Sequence, residues 1–329
     1  MGEDLRIRAL DPERDRPLLE RLWEAALGPV WPLLPGALEL VREGLVAERP
    51  GTGAGGAEPG YAERGEPGDG ERIQRALGAV AIDPAGIGAV AIDPAGSLPL
   101  LLVDPASQRR GVGTRLLEAG MARLARLGVS TVGLGSGGDD YIWPGVPDDL
   151  PGAVGFFEAR GWAFDHTVID LVADLRGYRA PDGVADRPGR AGVSIRVMTG
   201  PERAEVMAFE AAMFPDWVKW FERLDSSVLI ARDRAGAVVG TLLFRGPPGA
   251  TIYEPLLGPD AGTIGCVGVA PPAQGAGVGS AMVARASELL RDAGTRACHI
   301  GWTRREEFYS RLGYAPWRRY HMARRPASG

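Results

Sequence analysis

One pattern occurs twice in this chain: an apolar strand, a short turn, a glycine-rich loop and a long amphipathic helix. The first copy begins at Leu98 and its helix runs to about Leu127, while the second begins at Ile264 and runs to about Asp292. The two copies align without a gap. A chain of 329 residues is long enough for two domains that each bury a core of their own. The duplication therefore predicts two similar α/β domains in tandem.

Segments rich in glycine and proline indicate where these domains begin and end. Residues 177–192 (GYRAPDGVADRPGRAG) combine glycine, proline and charge, which is typical of a linker. We expect an N-terminal domain over residues 1–176 and a C-terminal domain over residues 193–329. Residues 50–70 have almost no apolar side chains to bury, so a disordered loop is expected there. The text GAVAIDPAG, which starts at Gly78 and again at Gly88, has no function that we can assign.

Composition excludes several classes of protein. The chain is 45% hydrophobic and 24% charged, which are ordinary globular values, and its net charge of −5 argues against nucleic-acid binding. No run approaches the roughly 18 apolar residues that span a bilayer. Two cysteines, Cys266 and Cys298, cannot form a disulfide framework, and no signal-peptide pattern is evident. We expect a soluble cytoplasmic monomer or homodimer whose partners are small molecules, with no membrane and no nucleic acid involved.

The two glycine-rich loops are suited to binding a bulky anion. Glycine lets the backbone pass close to such a ligand, while the free amides and the positive dipole end of the following helix point at it. The loops are not Walker A loops, because no Gly-Lys-Ser/Thr follows. They are not dinucleotide fingerprints either, because no acidic ribose partner ends the next strand. A different phosphate-bearing ligand is required.

The pattern Gln-x-x-Gly-x-Gly after a Val-x-Pro strand end resembles the acyl-CoA loop of the GNAT superfamily of N-acetyltransferases, and both copies carry it. The resemblance implies an α/β fold of two tandem GNAT domains, each a mixed, mostly antiparallel sheet flanked by helices, whose fourth and fifth strands splay apart around pantetheine. The acetyl-CoA-binding residues that it implies in the first copy are Leu101, Leu102, Val103, Gln108, Arg109, Arg110, Gly111, Val112, Gly113 and Thr114. Those in the second copy are Val267, Gly268, Val269, Gln274, Gly275, Ala276, Gly277, Val278, Gly279 and Ser280.

Acyl transfer to an amine needs an acid for the leaving sulfur and a base for the amine. Many GNAT members carry Tyr-x-x-x-Gly-Tyr/Phe after the fifth strand, and the stretch from Tyr309 to Tyr314 resembles it. The resemblance implies Tyr309 as general acid. Phe157 falls at that place in the first copy and has no proton to give, although Tyr141 in a nearby loop is an alternative acid. The C-terminal domain is therefore the expected catalytic one.

For the general base, the sequence offers more than one candidate. Glu254 and Asp260 precede the fourth strand of the second copy, where the family often places a carboxylate, and we name Glu254 as the base. Loss of the amine's proton to bulk water is an alternative. Trp302 and Arg305 replace the family's Asn and Ala before the tyrosine, which leaves the positioning of the acid open.

These residues predict an enzyme without a metal. The three histidines, His166, His299 and His321, are far apart and lack metal-ligand spacing. We expect an acetyl-CoA-dependent N-acetyltransferase that transfers an acetyl group by direct attack to a primary amine of a small molecule or peptide. The alternative is a non-catalytic acyl-CoA-binding regulatory protein, which the replaced Asn and Ala would suit.

Overall fold

A computed structural model describes residues 5–32, 36–49, 76–83, 95–135 and 142–327. The loop expected at residues 50–70, most of the second GAVAIDPAG copy and the alternative acid Tyr141 lie outside the described residues. No helix in the described ranges is long and apolar enough to cross a membrane.

The chain divides into two compact units. The N-terminal unit ends at Gly145 but also contains Ala323–Gly329, while the C-terminal unit contains Val146–Met322. These bounds differ from a division at residues 177–192. The reason is strand pairing between residues distant in sequence, because a strand that precedes the linker joins the C-terminal sheet and the last residues of the chain return to the N-terminal one.

The N-terminal unit is a mixed sheet with helices packed against it. Its elements are β1 (Arg6–Ala9), α1 (Arg16–Ala26), a 3-10 turn (Ala37–Leu40), β2 (Gly44–Glu48), β3 (Ala76–Asp83), β4 (Ala95–Val103), α2 (Val112–Arg126) and β5 (Thr131–Leu134). The strands lie in the order β1-β2-β3-β4-β5, and the end of the chain's last strand then pairs with β5. All these neighbours are antiparallel except β4 and β5, which are parallel.

The C-terminal unit repeats this plan. Its elements are β6 (Val146–Pro147), α3 (Pro151–Glu158), β7 (Phe164–Asp174), α4 (Arg187–Arg190), β8 (Ser194–Val197), α5 (Arg203–Met213), α6 (Val218–Glu222), β9 (Ser227–Arg232), β10 (Val238–Arg245), α7 (Glu254–Leu257), β11 (Ala261–Val269), α8 (Val278–Asp292), β12 (Ala297–Thr303), α9 (Glu306–Ser310) and β13 (Ala315–Pro326). The strand order is β13-β7-β12-β11-β10-β9-β8, with β11 and β12 parallel. The predicted mixed, mostly antiparallel α/β class is confirmed.

Helices cover both faces of the C-terminal sheet because its strands are apolar on both sides. In β9, Leu229 packs with the buried face of α8, whereas Ile230 packs with Val206 of α5 and Phe221 of α6. Successive strand residues point to opposite faces, so this alternation supplies two cores. Each fully buried leucine or isoleucine side chain contributes about 1.5–3 kcal/mol.

The segment predicted as a linker packs against the C-terminal unit. Tyr178, Val184 and Val193 belong to the core beside α8. The carbonyl of Tyr178 accepts a hydrogen bond from Arg291 of that helix. Residues 177–192 are therefore part of this unit rather than a free connection.

Candidate active site

The glutamine of each loop ties the loop to the strand before it. Gln274 Nε2 donates to the carbonyl of Val269 at 2.9 Å, and Gln108 Nε2 donates to the carbonyl of Val103 at 3.2 Å. The same hydrogen bond from loop to strand in both units explains why the motif has a glutamine at this position.

The glycines give each loop its left-handed turn. Gly111 and Gly277 immediately precede α2 and α8, with φ of 85° and 79°. Gly275 also has positive φ, and a Cβ added there would meet open space. Arg109 occupies the corresponding position in the N-terminal unit at φ 61°, a conformation that L side chains rarely adopt. The loop before α8 therefore has open space at Gly275, next to a helix N-terminus of the kind that accommodates a pyrophosphate.

Arg187 of α4 lies against the C-terminal loop. A Cβ added to Gly277 would be 3.0 Å from both Cβ and Cδ of Arg187. The C-terminal loop has Gly275 and Ala276 where the N-terminal loop has two arginines. The aliphatic stem of Arg187, from the segment before β8, thus lies next to a loop that has no basic side chain.

The two parallel strands separate beside this loop. β11 and β12, which both lie wholly within the described residues, pair from Ala261↔Ala297 to Ile264↔Ile300 and not beyond. Val267, Gly268 and Val269 belong to the stretch of β11 that has diverged. A backbone edge of this kind can pair with the amides of pantetheine, so these residues fit acetyl-CoA as the resemblance implies.

Both strands are irregular where they diverge. Between Gly265 and Gly268, β11 has a bulge opposite β10 that holds Cys266 at φ 48°. β12 is irregular after Ile300 and holds Trp302 at φ 52°. Such strain costs about 1–3 kcal/mol per residue and concentrates at functional sites.

Tyr309 lies close to this bulge. Its side chain is buried, and burial raises its pKa to about 12, an effect that Arg305 partly offsets. Cys266 also raises the pKa of Tyr309, so the hydroxyl is within electrostatic range of the bulge. Tyr309 therefore stays protonated at neutral pH, as a general acid must.

Glu254, the base predicted from the sequence, has a different environment. It begins α7, is half-buried, and its Oε2 accepts the backbone N–H of Gly249 at 2.9 Å. Asp260, its alternative, forms an ion pair with Arg296 at 3.2 Å. Neither arrangement tests the assignment, so Glu254 stays a prediction.

Sequence reasoning missed a buried polar group centred on Asp170 of β7. This carboxylate accepts hydrogen bonds from His299 Nε2 at 3.1 Å, the Tyr320 hydroxyl at 2.9 Å and the Trp302 backbone N–H at 2.8 Å. Asp170 thereby links three neighbouring strands and holds the strained residue of β12. Its only signal in the sequence is an acidic residue inside an apolar strand.

Aromatic rings surround this group. The rings of Tyr253, His299 and Trp317 lie 5.2 to 5.8 Å apart in pairwise edge contacts. Aromatic pairs in such arrangements contribute about 0.5–1.5 kcal/mol beyond the area that they bury. The rings and Asp170 form a rigid patch of mixed polarity.

Glu210 of α5 was also missed. Its side chain is fully buried, and burial raises its pKa to about 7, an effect that the hydrogen bond from Thr241 partly offsets. Oε2 has no hydrogen-bond partner in the described part of the chain. The available signal was an acidic residue four positions after Val206 on the buried face of the helix.

The N-terminal unit has the loop, and tryptophan side chains lie where its strands diverge. β4 and β5 pair only as far as Leu98↔Leu134, yet Trp143 Nε1 donates to the carbonyl of Pro99 at 3.1 Å where β4 diverges. Trp143 stacks on Trp23 with ring centroids 5.2 Å apart. Tryptophan side chains therefore take up space beside the strand that is predicted to bind pantetheine.

The bulge also differs between the units. In β4 it falls between Ser97 and Leu100, two residues earlier in the aligned copies than the bulge of β11. Phe157, at the place of Tyr309, is buried against Phe156 and Trp162. Only the C-terminal unit thus combines a bulge at the position of Cys266 with a tyrosine.

Two α/β units that each place a glycine-loop helix beside a splayed parallel strand pair define a protein of the tandem GNAT class. Residues 196–314 match the family model described as acetyltransferase (GNAT) family. These residues of the C-terminal unit thus match the GNAT acetyltransferase family, and the chain as a whole is similar to tandem two-domain GNAT proteins, with a layout similar to mycothiol synthase.

Known proteins with similar sequences or structures support this assignment. The chain is 28% identical over 211 residues to mycothiol acetyltransferase of Clavibacter sepedonicus, which covers 59% of this chain and 60% of that protein. It thus spans less than two thirds of that relative. A GCN5-related glucosamine N-acetyltransferase region of a fungal multi-domain GH3 β-N-acetylglucosaminidase has a TM-score of 0.83 at 26% identity, over 99% of this chain and 38% of that one. A tandem GNAT protein from the clavulanic acid biosynthesis pathway has a TM-score of 0.62 at 16% identity, over 99% of both chains.

Proposed function

We propose that this protein is an acetyl-CoA-dependent N-acetyltransferase whose C-terminal unit transfers an acetyl group to a primary amine of a small molecule or peptide. The observation that carries the proposal is the bulge at Cys266, on a diverging strand beside an open helix N-terminus and within electrostatic range of Tyr309. A cytoplasmic location and a monomeric or homodimeric state stay predictions.

Different residues of the C-terminal unit would bind the pantetheine and the pyrophosphate of acetyl-CoA. Val267, Gly268 and Val269 would pair with pantetheine, while the loop from Gln274 to Ser280 would hold the pyrophosphate. Acetyl-CoA supplies the activated acetyl group when bound. Tyr309 would donate its proton to the sulfur as the thioester breaks, because burial keeps its hydroxyl protonated. Among the described residues no cluster of metal-ligating side chains is present.

The acceptor is proposed from the chemistry beside the bulge. The structurally similar fungal domain is a glucosamine N-acetyltransferase region, and in this chain the partly exposed ring of Trp317 contacts the ring of His299 on β12, one of the two diverging strands. An aromatic ring close to the gap suits an amine that also carries an apolar ring face. An amino sugar is therefore the first acceptor to test within the wider class of primary amines.

The test is calorimetric titration of acetyl-CoA together with a thiol-release assay. Acceptors are glucosamine, simple alkylamines, an aminoglycoside and a lysine peptide, with N-acetylglucosamine as a control that has no free amine. We expect binding and thiol release with at least one amine. Binding without turnover on every acceptor would favour the non-catalytic alternative, and no binding would refute the assignment of both loops.

A further inference from the structure

Glu210 lies on the buried face of α5 with one carboxylate oxygen unused. Its Oε1 accepts the hydroxyl of Thr241, while Oε2 has no hydrogen-bond partner among the described residues. A buried polar atom without a partner costs about 1–3 kcal/mol. A buried carboxylate that destabilises the fold in this way requires an explanation. A catalytic role is one explanation for a buried polar atom without a partner.

The position of Glu210 connects it with the bulge. Thr241 pairs with Gly268, two residues beyond Cys266 on β11. Glu210 raises the pKa of the Cys266 thiol, and that thiol raises the pKa of Tyr309. The carboxylate and the phenol are thus both within electrostatic range of the bulge. The other charged group that acts on Cys266 is Lys219 of α6, which lowers its pKa.

The two units provide an internal comparison. The buried residues of α1 are all apolar (Leu18, Leu19, Leu22 and Trp23) and its glutamates are exposed, whereas α5 buries Val206 and Glu210. The copy that has Phe157 at the place of Tyr309 therefore also lacks a buried carboxylate on this helix. Both groups are absent from the same copy, as expected of two groups that serve one reaction.

We infer that Glu210 is the general base, a catalytic residue whose Oε2 takes a proton from the acceptor's ammonium group. This inference rests on the proposed function and replaces Glu254 in that role. The neutral amine then forms the N–C bond to the acetyl carbon as the C–S bond breaks. Tyr309 gives its proton to the sulfur and is left as a phenolate; the acetylated nitrogen loses its second proton to solvent, and Tyr309 takes one back from solvent. Glu210 releases its own proton to solvent after the product leaves.

Burial gives Glu210 a pKa that suits a general base. A base works best when its pKa is near the operating pH, and burial brings the pKa of Glu210 to about 7. The hydrogen bond from Thr241 lowers that pKa, so Thr241 adjusts the base without touching the acceptor.

The test compares pH profiles of kcat/KM for the wild type, Glu210→Gln and Glu210→Asp, using an acceptor found in the turnover assay. We expect the wild-type value to rise with pH through about 7. Glu210→Gln should lower kcat/KM by about 10²- to 10⁴-fold at neutral pH, while the acetyl-CoA Kd stays unchanged. It should also remove the rise of kcat/KM with pH, which is called the limb below. Glu210→Asp should restore part of the rate. Glu205→Gln, on the same helix but paired with Arg232 at the surface, should retain the wild-type pH dependence, whereas its loss in Glu254→Gln instead of Glu210→Gln would overturn the inference.

Thr241→Val is a second, milder variant. Because it removes the donor that lowers the pKa of Glu210, it should move the limb to higher pH. A Glu210→Gln enzyme that keeps the limb, or a Thr241→Val enzyme whose limb does not move, would overturn the inference while leaving the proposed function intact. A wild-type protein that binds acetyl-CoA but acetylates nothing would overturn both.

Discussion

At the scale of single residues, burial changes Tyr309 and Glu210 in a way that suits the two roles proposed for them. Desolvation disfavours the charged form of each group, so it raises both pKa values. The phenol, which starts high, is kept protonated and able to donate. The carboxylate, which starts low, is brought into the neutral range, where it can accept.

Tyr309→Phe tests the acid directly. We expect kcat to fall by about 10²- to 10⁴-fold, because the sulfur would lose its proton donor, with little change in acetyl-CoA Kd. Tyr314→Phe is the matched control, since it removes a buried hydroxyl bonded to Ser287 at 2.7 Å. The control should lose about 1 kcal/mol of stability and keep its kcat. An unchanged kcat in Tyr309→Phe would remove this residue from the mechanism.

Glu210 also predicts how stability depends on pH. Its folded pKa of about 7 lies above the ordinary 4.5, so the folded protein binds more protons than the unfolded chain between these values. The free energy of unfolding should therefore fall as pH rises through this window, by up to about 3 kcal/mol relative to Glu210→Gln, and level off above pH 7. Urea denaturation of both proteins from pH 5 to pH 8 measures this difference. Parallel curves would mean that Glu210 is not buried as described.

At the scale of elements, the loop motif was predictable and its surroundings were not. The Gln-x-x-Gly-x-Gly pattern is local, because each residue serves the turn that contains it, and the strand and helix around it follow from periodicity. Arg187 and Asp170 come from segments far away in the sequence, and only pairing and packing bring them to β11 and β12. Glu210 was missed for a different reason, since its position on an amphipathic helix is normally apolar.

The short helix α4 leads to a prediction about binding. The stem of Arg187 packs on Gly277 at the start of α8, where the dipole disfavours a cation unless an anion is bound. Arg187→Ala should weaken acetyl-CoA binding about 2- to 5-fold at low salt, as expected for an exposed ion pair of about 0.5–1 kcal/mol, and the difference should shrink at high salt. Arg190→Ala on the same helix is the control. Equal Kd values for all three proteins would exclude Arg187 from the phosphate site.

At the scale of the whole molecule, the sequence duplication predicts the fold of both units but not the difference between their acyl-CoA sites. The sequence copies are similar enough to predict an acyl-CoA site in each. In the structure, Trp143 bonds to the strand of the N-terminal unit where β4 diverges, and Arg109 occupies a left-handed position that glycine takes in the other loop. Large apolar side chains such as Trp23 look like ordinary core in a sequence, so their effect on the site emerges only from packing.

This asymmetry predicts that one chain binds one acetyl-CoA. Gly277→Asp places a negative charge at the N-terminus of α8 where the pyrophosphate would lie, so it should abolish binding measured by calorimetry. Gly277→Ala controls for crowding against Arg187 and for the positive φ, and it should weaken binding less because it adds no charge. Gly111→Asp should leave the stoichiometry at about one if Trp143, which bonds to β4 where the N-terminal strands diverge, keeps pantetheine out. A stoichiometry of two that falls to one in Gly111→Asp would show that acetyl-CoA displaces Trp143, and the N-terminal unit would then be a second binding site.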